Sequence, residues 1–347
     1  MSFSQMETTT RMRQELEDIP NAISRLFEGS LSDIQAAAAD IRSVDPGLIT
    51  TIARGSSDHA AMYLKYALEL SAGIPVASIG PSVSSIYGVS LDMRNTACIS
   101  ISQSGRSPDI VQSAQSATSG GALTIAITND HTSPLADACA HTIPLQAGPE
   151  RSVAATKTFV TSIVAGLLLL AHWKEDKQLL DALVALPGIA AKAVNLDWSV
   201  LCARMVAENS LLVLGRGPSF AIANEVALKF KETCRIHAEA FSSAEVLHGP
   251  IAIVGSNYPV LALISRDASE RFVADTADGL ARDGADVFAT SSKTSRCQQL
   301  PYEATGHPLT DPLILVISFY SFIEKLSRLR GLDPDVPRNL RKVTETV

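Results

Sequence analysis

Three short segments of this chain recur at one fixed spacing. Ile52-Ala-Arg-Gly55-Ser-Ser and the run from Tyr63 to Leu70 resemble Val213-Leu-Gly-Arg-Gly217-Pro and the run from Asn224 to Glu232, with Gly217 lying 162 residues after Gly55. Ile99-Ser-Ile-Ser102 resembles Leu261-Ala-Leu-Ile-Ser265 at a spacing of 163, and Thr124-Ile-Ala-Ile-Thr128 resembles Asp286-Val-Phe-Ala-Thr290 at 162. A duplicated unit requires the same supersecondary pattern to be built twice, which constrains the fold before any motif is considered. Within each copy, short aliphatic runs alternate with longer amphipathic ones. That alternation predicts strands and helices in turn, hence an α/β chain whose parallel sheets are covered on both faces. In the first copy strands are expected near Leu48 to Ala53, Val76 to Ile79, Thr96 to Ser102, Leu123 to Thr128 and His141 to Leu145. In the second they are expected near Leu211 to Leu214, Pro259 to Ser265 and Asp286 to Thr290, with one or two shorter ones. The expected fold is two tandem doubly wound, flavodoxin-like units, and 347 residues suffice for both.

The boundaries follow from composition. Met12 to Glu28 reads as helical with a break near Pro20, giving an N-terminal helical segment over 1–28 and a first unit over 29–174. A helical connector interrupted by Pro187-Gly188 spans 175–197, the second unit 198–332, and an irregular tail with Pro334 and Pro337 covers 333–347. The apolar run from Val160 to Ala171 is too short to span a bilayer, and Glu7, Glu15 and Glu17 replace a basic leader. Twenty-nine basic against 36 acidic residues give a net charge of −7, which argues against nucleic acid or an anionic membrane as partner. Five scattered cysteines support neither a disulfide framework nor a zinc site, so a cytoplasmic location is expected.

In open parallel sheets, ligands collect at the carboxyl ends of the strands, where helix N-termini present free N–H groups. Ser102-Gln103-Ser104-Gly105-Arg106-Ser107 occupies such a place, between an apolar strand and the helical run from Asp109 to Ala117. Three hydroxyls, an amide, a glycine that lets the backbone approach, and a helix dipole form a phosphate cradle without the lysine of a P-loop. Helix capping would account for one of these serines, not for the group. In the second copy Ser265-Arg-Asp-Ala-Ser-Glu270 takes the same place. There Asp267 and Glu270 would repel a phosphate, so only the first copy is expected to bind one. Arg54-Gly55-Ser56-Ser57-Asp58 adds two hydroxyls at a neighbouring strand end. It reads equally as a tight turn capped by Ser57 or Asp58.

Acid–base chemistry concentrates between Lys229 and Pro250. Lys229 and Glu232 are three apart and share a helix face, so a cation can sit beside a carboxylate and tune its basicity. His237, Glu239, Glu245 and His248 match no recognised metal-ligand spacing, and an exposed polar helix is the simpler reading; no metal or other cofactor is expected.

The serine cluster, Glu150-Arg-Ser-Val-Ala-Ala-Thr-Lys157, the run from Gly215 through Glu232 to His248-Gly-Pro250, and the tail Asp335-Val-Pro-Arg-Asn-Leu-Arg-Lys342 together resemble the double sugar-isomerase (SIS) domain family. They resemble the isomerase half of glucosamine-6-phosphate synthase, and more closely its stand-alone relatives: amino-sugar-phosphate deaminases, isomerases and fructosamine-phosphate deglycases. The resemblance implies phosphate contacts from Ser102, Gln103, Ser104 and Ser107, with Gly55, Ser56, Ser57 and the Val153 backbone near the sugar. It further implies that Glu232 moves a proton between sugar carbons 1 and 2, Lys229 assists at the oxygens, His248 opens the ring, and Lys342 closes over the open chain. His248 would come from the neighbouring subunit of a homodimer. The stretch before His248 reads as helix and turn, and its small residues from Ala238 to Ala244 suit close packing against a symmetry mate. This chain departs from the synthase at Pro81-Ser-Val-Ser-Ser85, Ala155 and Arg341, all expected around the sugar.

The expected activity is deamination of glucosamine 6-phosphate to fructose 6-phosphate and ammonia, without a glutaminase half. The alternatives are a phosphosugar isomerase or fructosamine-phosphate deglycase of the same fold, or, in a different class, a non-catalytic sugar-phosphate sensor. A sensor needs the serine cluster but not Glu232, Lys229 and His248 together.

Overall fold

The computed structural model describes residues 9–342; residues 1–8 of the expected N-terminal segment and 343–347 of the tail lie outside the described residues. Two helices open the chain, α1 (Arg11–Glu17) and α2 (Ile19–Val44), separated at Asp18. Pro20 stands in the first turn of α2, where its missing N–H costs nothing. Helix α2 is continuous through residues 28 and 29, so the division expected there falls inside a helix.

The first unit then runs β1 (Leu48–Ile52), α3 (Ser56–Ala72), β2 (Val76–Ser78), α4 (Ser82–Ser85), β3 (Thr96–Ser102), α5 (Pro108–Ser119), β4 (Leu123–Thr128), α6 (Pro134–Ala138), β5 (His141–Pro144) and α7 (Lys157–Lys174). After α8 (Lys177–Ala193) and α9 (Ser199–Met205), the second unit has β6 (Ser210–Gly215), α10 (Pro218–Cys234), β7 (His237–Ser242) and two short 3-10 turns at Glu245–His248 and Pro250–Ile253. It closes with β8 (Pro259–Ala262), α11 (Glu270–Arg282), β9 (Asp286–Ala289), β10 (Gln298–Gln299) and α12 (Asp311–Leu329).

Both sheets are five-stranded and parallel throughout, in the orders β2-β1-β3-β4-β5 and β7-β6-β8-β9-β10. Numbered within each unit, both read 2-1-3-4-5, the flavodoxin-like order. The doubly wound repeat is therefore borne out, and it extends to the backbone. Gly55 and Gly217, each just before a helix, adopt φ/ψ of 56°/−132° and 59°/−136°, a region that favours glycine. Helices α7 and α12 are buried along almost their whole length, α3 packs on α7 and α10, and α10 packs on α12, so this helical layer carries the core between the two sheets. The run from Val160 to Ala171 is thus a core helix, and no helix among the described residues is long and apolar enough to cross a membrane.

Two local expectations are corrected. Helix α8 runs unbroken through Pro187 and Gly188. A proline inside a helix costs about 3 kcal/mol. Leu179, Leu183, Leu186, Ala190 and Ala193 on its buried face offset that, each large apolar side chain being worth about 1.5–3 kcal/mol. The stretch from His237 is a strand, not a helix: Arg235, at φ 55°, ends α10, and Ala238 turns into the core while His237 and Glu239 face out. That alternation has the period of a strand.

Candidate active site

Where the strand order reverses between β1 and β3, the two following turns stand side by side, and a crevice opens at the carboxyl ends of the sheet. A cleft of about 360 Å³ lies there, within the range of small-ligand sites. Gly55, Ser56 and Ser57 line it from the β1–α3 turn, and Ser102, Gln103, Ser104 and Ser107 from the β3–α5 turn. Val153 and Ala155, Glu232 of α10, and Leu340, Arg341 and Lys342 of the tail line it as well.

The serine turn is shaped by its own backbone. Gly105 has φ 61°, and a Cβ there would overlap the Ser133 side chain, so glycine is required. The Ser102 hydroxyl accepts from the Gly105 N–H at 3.2 Å and the Ser104 hydroxyl from the Arg106 N–H at 3.3 Å. Ser107 is the N-cap of α5, yet its hydroxyl makes no capping bond, which leaves it available to the cleft. The cluster's own cation, Arg106, is drawn away by Asp130 at 2.8 Å. Arg54 instead lines the cleft, its guanidinium held at 2.9 Å by the fully buried Asp109 in the first turn of α5. Two helix N-termini, hydroxyls and an amide can hold a tetrahedral oxyanion in this crevice.

Glu232, which α10 contributes to the lining, is one-fifth exposed and meets the Lys229 ammonium at 2.7 Å. Lys229 is wholly buried and does not line the cleft. Its three N–H groups go to Glu232, to Glu225 at 3.0 Å and to the Ser56 hydroxyl at 2.9 Å, leaving none for a sugar oxygen in this arrangement. Burial alone would lower its pKa, but the carboxylates of Glu225 and Glu232 outweigh it and the pKa is raised. Glu225, also wholly buried, has its carboxyl pushed up by burial and pulled further down by Lys229 and His59, for a net lowering.

The tail reaches the site as a strap. Asp335 accepts from the Arg11 and Met12 N–H groups at 2.7 and 2.8 Å, capping α1, and its carbonyl accepts from the Val153 N–H at 3.4 Å. Seven residues on, the Lys342 ammonium reaches Glu150 at 2.8 Å. Glu150 is buried and also accepts from the Thr156 and Thr158 N–H groups and the Thr158 hydroxyl. Burial raises its carboxyl, but Lys342 and these donors bring it below its ordinary value.

Of the residues named from sequence, Gly55, Ser56, Ser57, Ser102, Gln103, Ser104, Ser107, Val153, Glu232 and Lys342 line one cleft, with Lys229 directly behind it. His248 does not line it. It stands exposed on the turn ending at Gly249, whose φ is 138°. His237 and Glu239 are exposed on β7 and 4.0 Å apart, and no group of three metal-ligating side chains occurs among the described residues. The sequence segments that contain Arg54 and Glu150 are singled out without a role for those two residues, and Glu225, His59 and Tyr320 are given none either. Glu225 was findable, four residues before Lys229 on the same helix face. Tyr320 reaches the site from 95 residues away and carries no local signal.

The SIS domain matches residues 45–172 and again residues 205–321. This chain belongs to the SIS domain family. Its two SIS units differ where the first has its cleft. In the second, Arg266 takes the place after the strand, bonds to the buried Asp311 at 2.7 Å and lies 4.1 Å over the Tyr302 ring, so an internal ion pair occupies the counterpart position. Among curated relatives, glutamine–fructose-6-phosphate aminotransferase (isomerizing) of Symbiobacterium thermophilum is 31% identical over 95% of this chain and 58% of its own length. The chain thus spans little more than half the length of the curated relatives it matches. A solved structure from Silicibacter pomeroyi DSS-3, assigned provisionally as a phosphosugar isomerase, is 52% identical, covers 94% of this chain and all of that one, and superposes with a TM-score of 0.92. The C-terminal domain of glucosamine-fructose-6-phosphate aminotransferase from Francisella tularensis is 26% identical, covers 97% of this chain and all of that one, and gives 0.83.

Proposed function

We propose that this SIS protein is an enzyme acting on a phosphorylated amino sugar, converting glucosamine 6-phosphate and water to fructose 6-phosphate and ammonia. The observation that carries this is the meeting of Glu232 with the serine cluster across one cleft. The cluster holds the phosphate. Glu232 takes the proton from carbon 2 of the open-chain sugar and returns it to carbon 1, while the carbon-1 carbonyl oxygen gains a proton to become a hydroxyl and the nitrogen gives one up as the carbon–nitrogen double bond forms. The resulting 2-imine is hydrolysed by water, which breaks the carbon–nitrogen bond and leaves a ketose. A carboxylate base and nearby acids suffice for this rearrangement. A phosphosugar sensor would have no use for Glu232 and a buried lysine behind it. His248 is assigned to the cleft of a second copy in a homodimer. Support for this is its exposure and its absence from the cleft of its own chain. Incubation with glucosamine 6-phosphate, followed by assay of ammonia and fructose 6-phosphate, tests the reading; absence of both products overturns it.

One observation favours a second reading. Arg341 lines the cleft and has no hydrogen bond or ion pair among the described residues, so a sugar phosphate carrying a second acidic group, such as a fructosamine phosphate of an amino acid, would find a counter-ion. Release of the free amino acid from such a conjugate, with no ammonia from glucosamine 6-phosphate, would establish this alternative.

A further inference from the structure

Glu225, Lys229 and Glu232 occupy one face of α10, and the single cation stands between the two carboxylates at 3.0 and 2.7 Å. Only Glu232 reaches the cleft; Glu225 is fully buried and cannot touch a ligand there. The geometry points to Glu225 as a positioning residue that sets how strongly Glu232 takes up a proton, with Tyr320 and His59 holding Glu225 in place. This inference rests on the reading of Glu232 as the base.

An ammonium at hydrogen-bond distance favours the ionised form of a carboxylate and so weakens it as a base, by about one to three pH units when the pair is exclusive. Here the pair is not exclusive. Lys229 divides its charge between two carboxylates, and the share taken by Glu225 is returned to Glu232 as basicity. How large a share Glu225 takes depends on what else satisfies it. Its Oε1 accepts from the Ser56 hydroxyl at 3.2 Å and the Tyr320 hydroxyl at 3.1 Å in addition to Lys229, and its Oε2 faces His59 Nδ1 at 3.0 Å. Three partners thus crowd Oε1 and one faces Oε2, against roughly two acceptor positions on each oxygen. Removing a neutral donor leaves Glu225 to draw the ammonium closer to itself and away from Glu232.

The charged and titratable surroundings are few. From α3 the group that reaches Glu225 is His59, and from α12 it is Tyr320. Strand β6, Ser210 to Gly215, carries no titratable side chain, and His237 and Glu239 of β7 are turned to solvent. Arg54, Arg341 and Lys342 share the cleft with Glu232, and Lys342 is engaged with Glu150.

The test is a carboxyl carbon-13 NMR titration of ligand-free protein labelled at glutamate, with the Glu232 signal assigned by its loss in Glu232→Gln. Glu225→Gln gives the whole ammonium to Glu232, and its midpoint is expected to fall by about one pH unit. Tyr320→Phe, which keeps the ring and removes only the hydroxyl, is expected to raise it by about half a unit. His59→Leu, which also removes a partner of Glu225, should follow Tyr320→Phe. Midpoints that do not move, or that move in the same direction in Glu225→Gln and Tyr320→Phe, overturn the inference. Should Glu225→Gln not fold, the sign of the Tyr320→Phe shift decides. With an active substrate, the same shifts are expected in the acid limb of kcat, with KM within about twofold of the parent. Full activity in Glu232→Gln would defeat the base reading; an essential Glu232 with unmoved midpoints would defeat this inference alone.

Discussion

Lys342 and Glu150 meet at 2.8 Å across a sequence separation of 192 residues, joining the strap to the turn before α7. The pairing has a pH signature. The Glu150 carboxyl titrates below its ordinary 4.5, so the stability it contributes is fully present above that value and is lost as pH falls through the lower folded value. Pepsin cleavage near Leu340, measured against Glu150→Gln at each pH, is therefore expected to be slower in the parent at about pH 5 and to approach the variant's rate only below the ordinary carboxyl value. In Glu150→Gln the strap should be cut readily at every pH, with turnover down about tenfold or more. Equal cleavage of parent and variant would show that the pair does not hold the strap.

Replacing Glu232 with Gln keeps the shape of the cleft and removes the proton acceptor. Turnover should drop by roughly two to four orders of magnitude while affinity for the sugar phosphate stays close to that of the parent. Steady-state kinetics together with calorimetric binding separates the two, and a rate within a few-fold of the parent would remove Glu232 from the chemistry.

Ser104→Ala deletes one hydroxyl from the anion cradle. A hydrogen bond to a charged group is worth about 1.5–3 kcal/mol, so the sugar phosphate should bind about ten- to a hundredfold more weakly. Unphosphorylated glucosamine should be a poor substrate for the parent and indifferent to the change. Equal turnover of glucosamine and its phosphate would reassign the cluster.

A shared site can be read from subunit mixing. Glu232→Gln and His248→Asn, each inactive alone, should regain about a quarter of parent activity after exchange, because half of randomly paired dimers are mixed and each holds one intact site. Demonstrated exchange without recovery places both residues in one chain's site.

Much of the architecture was legible because it is periodic. Strands β3 and β4 fall on the residues expected, Thr96 to Ser102 and Leu123 to Thr128, since buried parallel strands are nearly continuous apolar runs. Strand β7 was misread because its inward residues are alanines, which do not announce a strand. The repeat could have corrected this, since Ala238 lies 162 residues after Val76 of β2. Pro187 misled because local propensity speaks before packing does. At the site, the serine cluster is contiguous and was visible, whereas the carboxylate of Glu225 depends on Tyr320 and the strap lysine on Glu150. Those are tertiary contacts that no local window contains.

The Asp335 carboxylate seated on the first amides of α1 makes the beginning of that helix and the C-terminal strap mechanically one piece. Arg13, the next residue along, grips Glu324 of α12 at 2.9 Å, so α1 is anchored to the body of the second unit as well. A pull at residue 9 would be borne by α12, through the Thr10 hydroxyl on Glu324 at 2.9 Å, and by the strap, through Asp335, before it reached either sheet. Parting Asp335 from those amides would release the segment that carries Lys342 over the cleft.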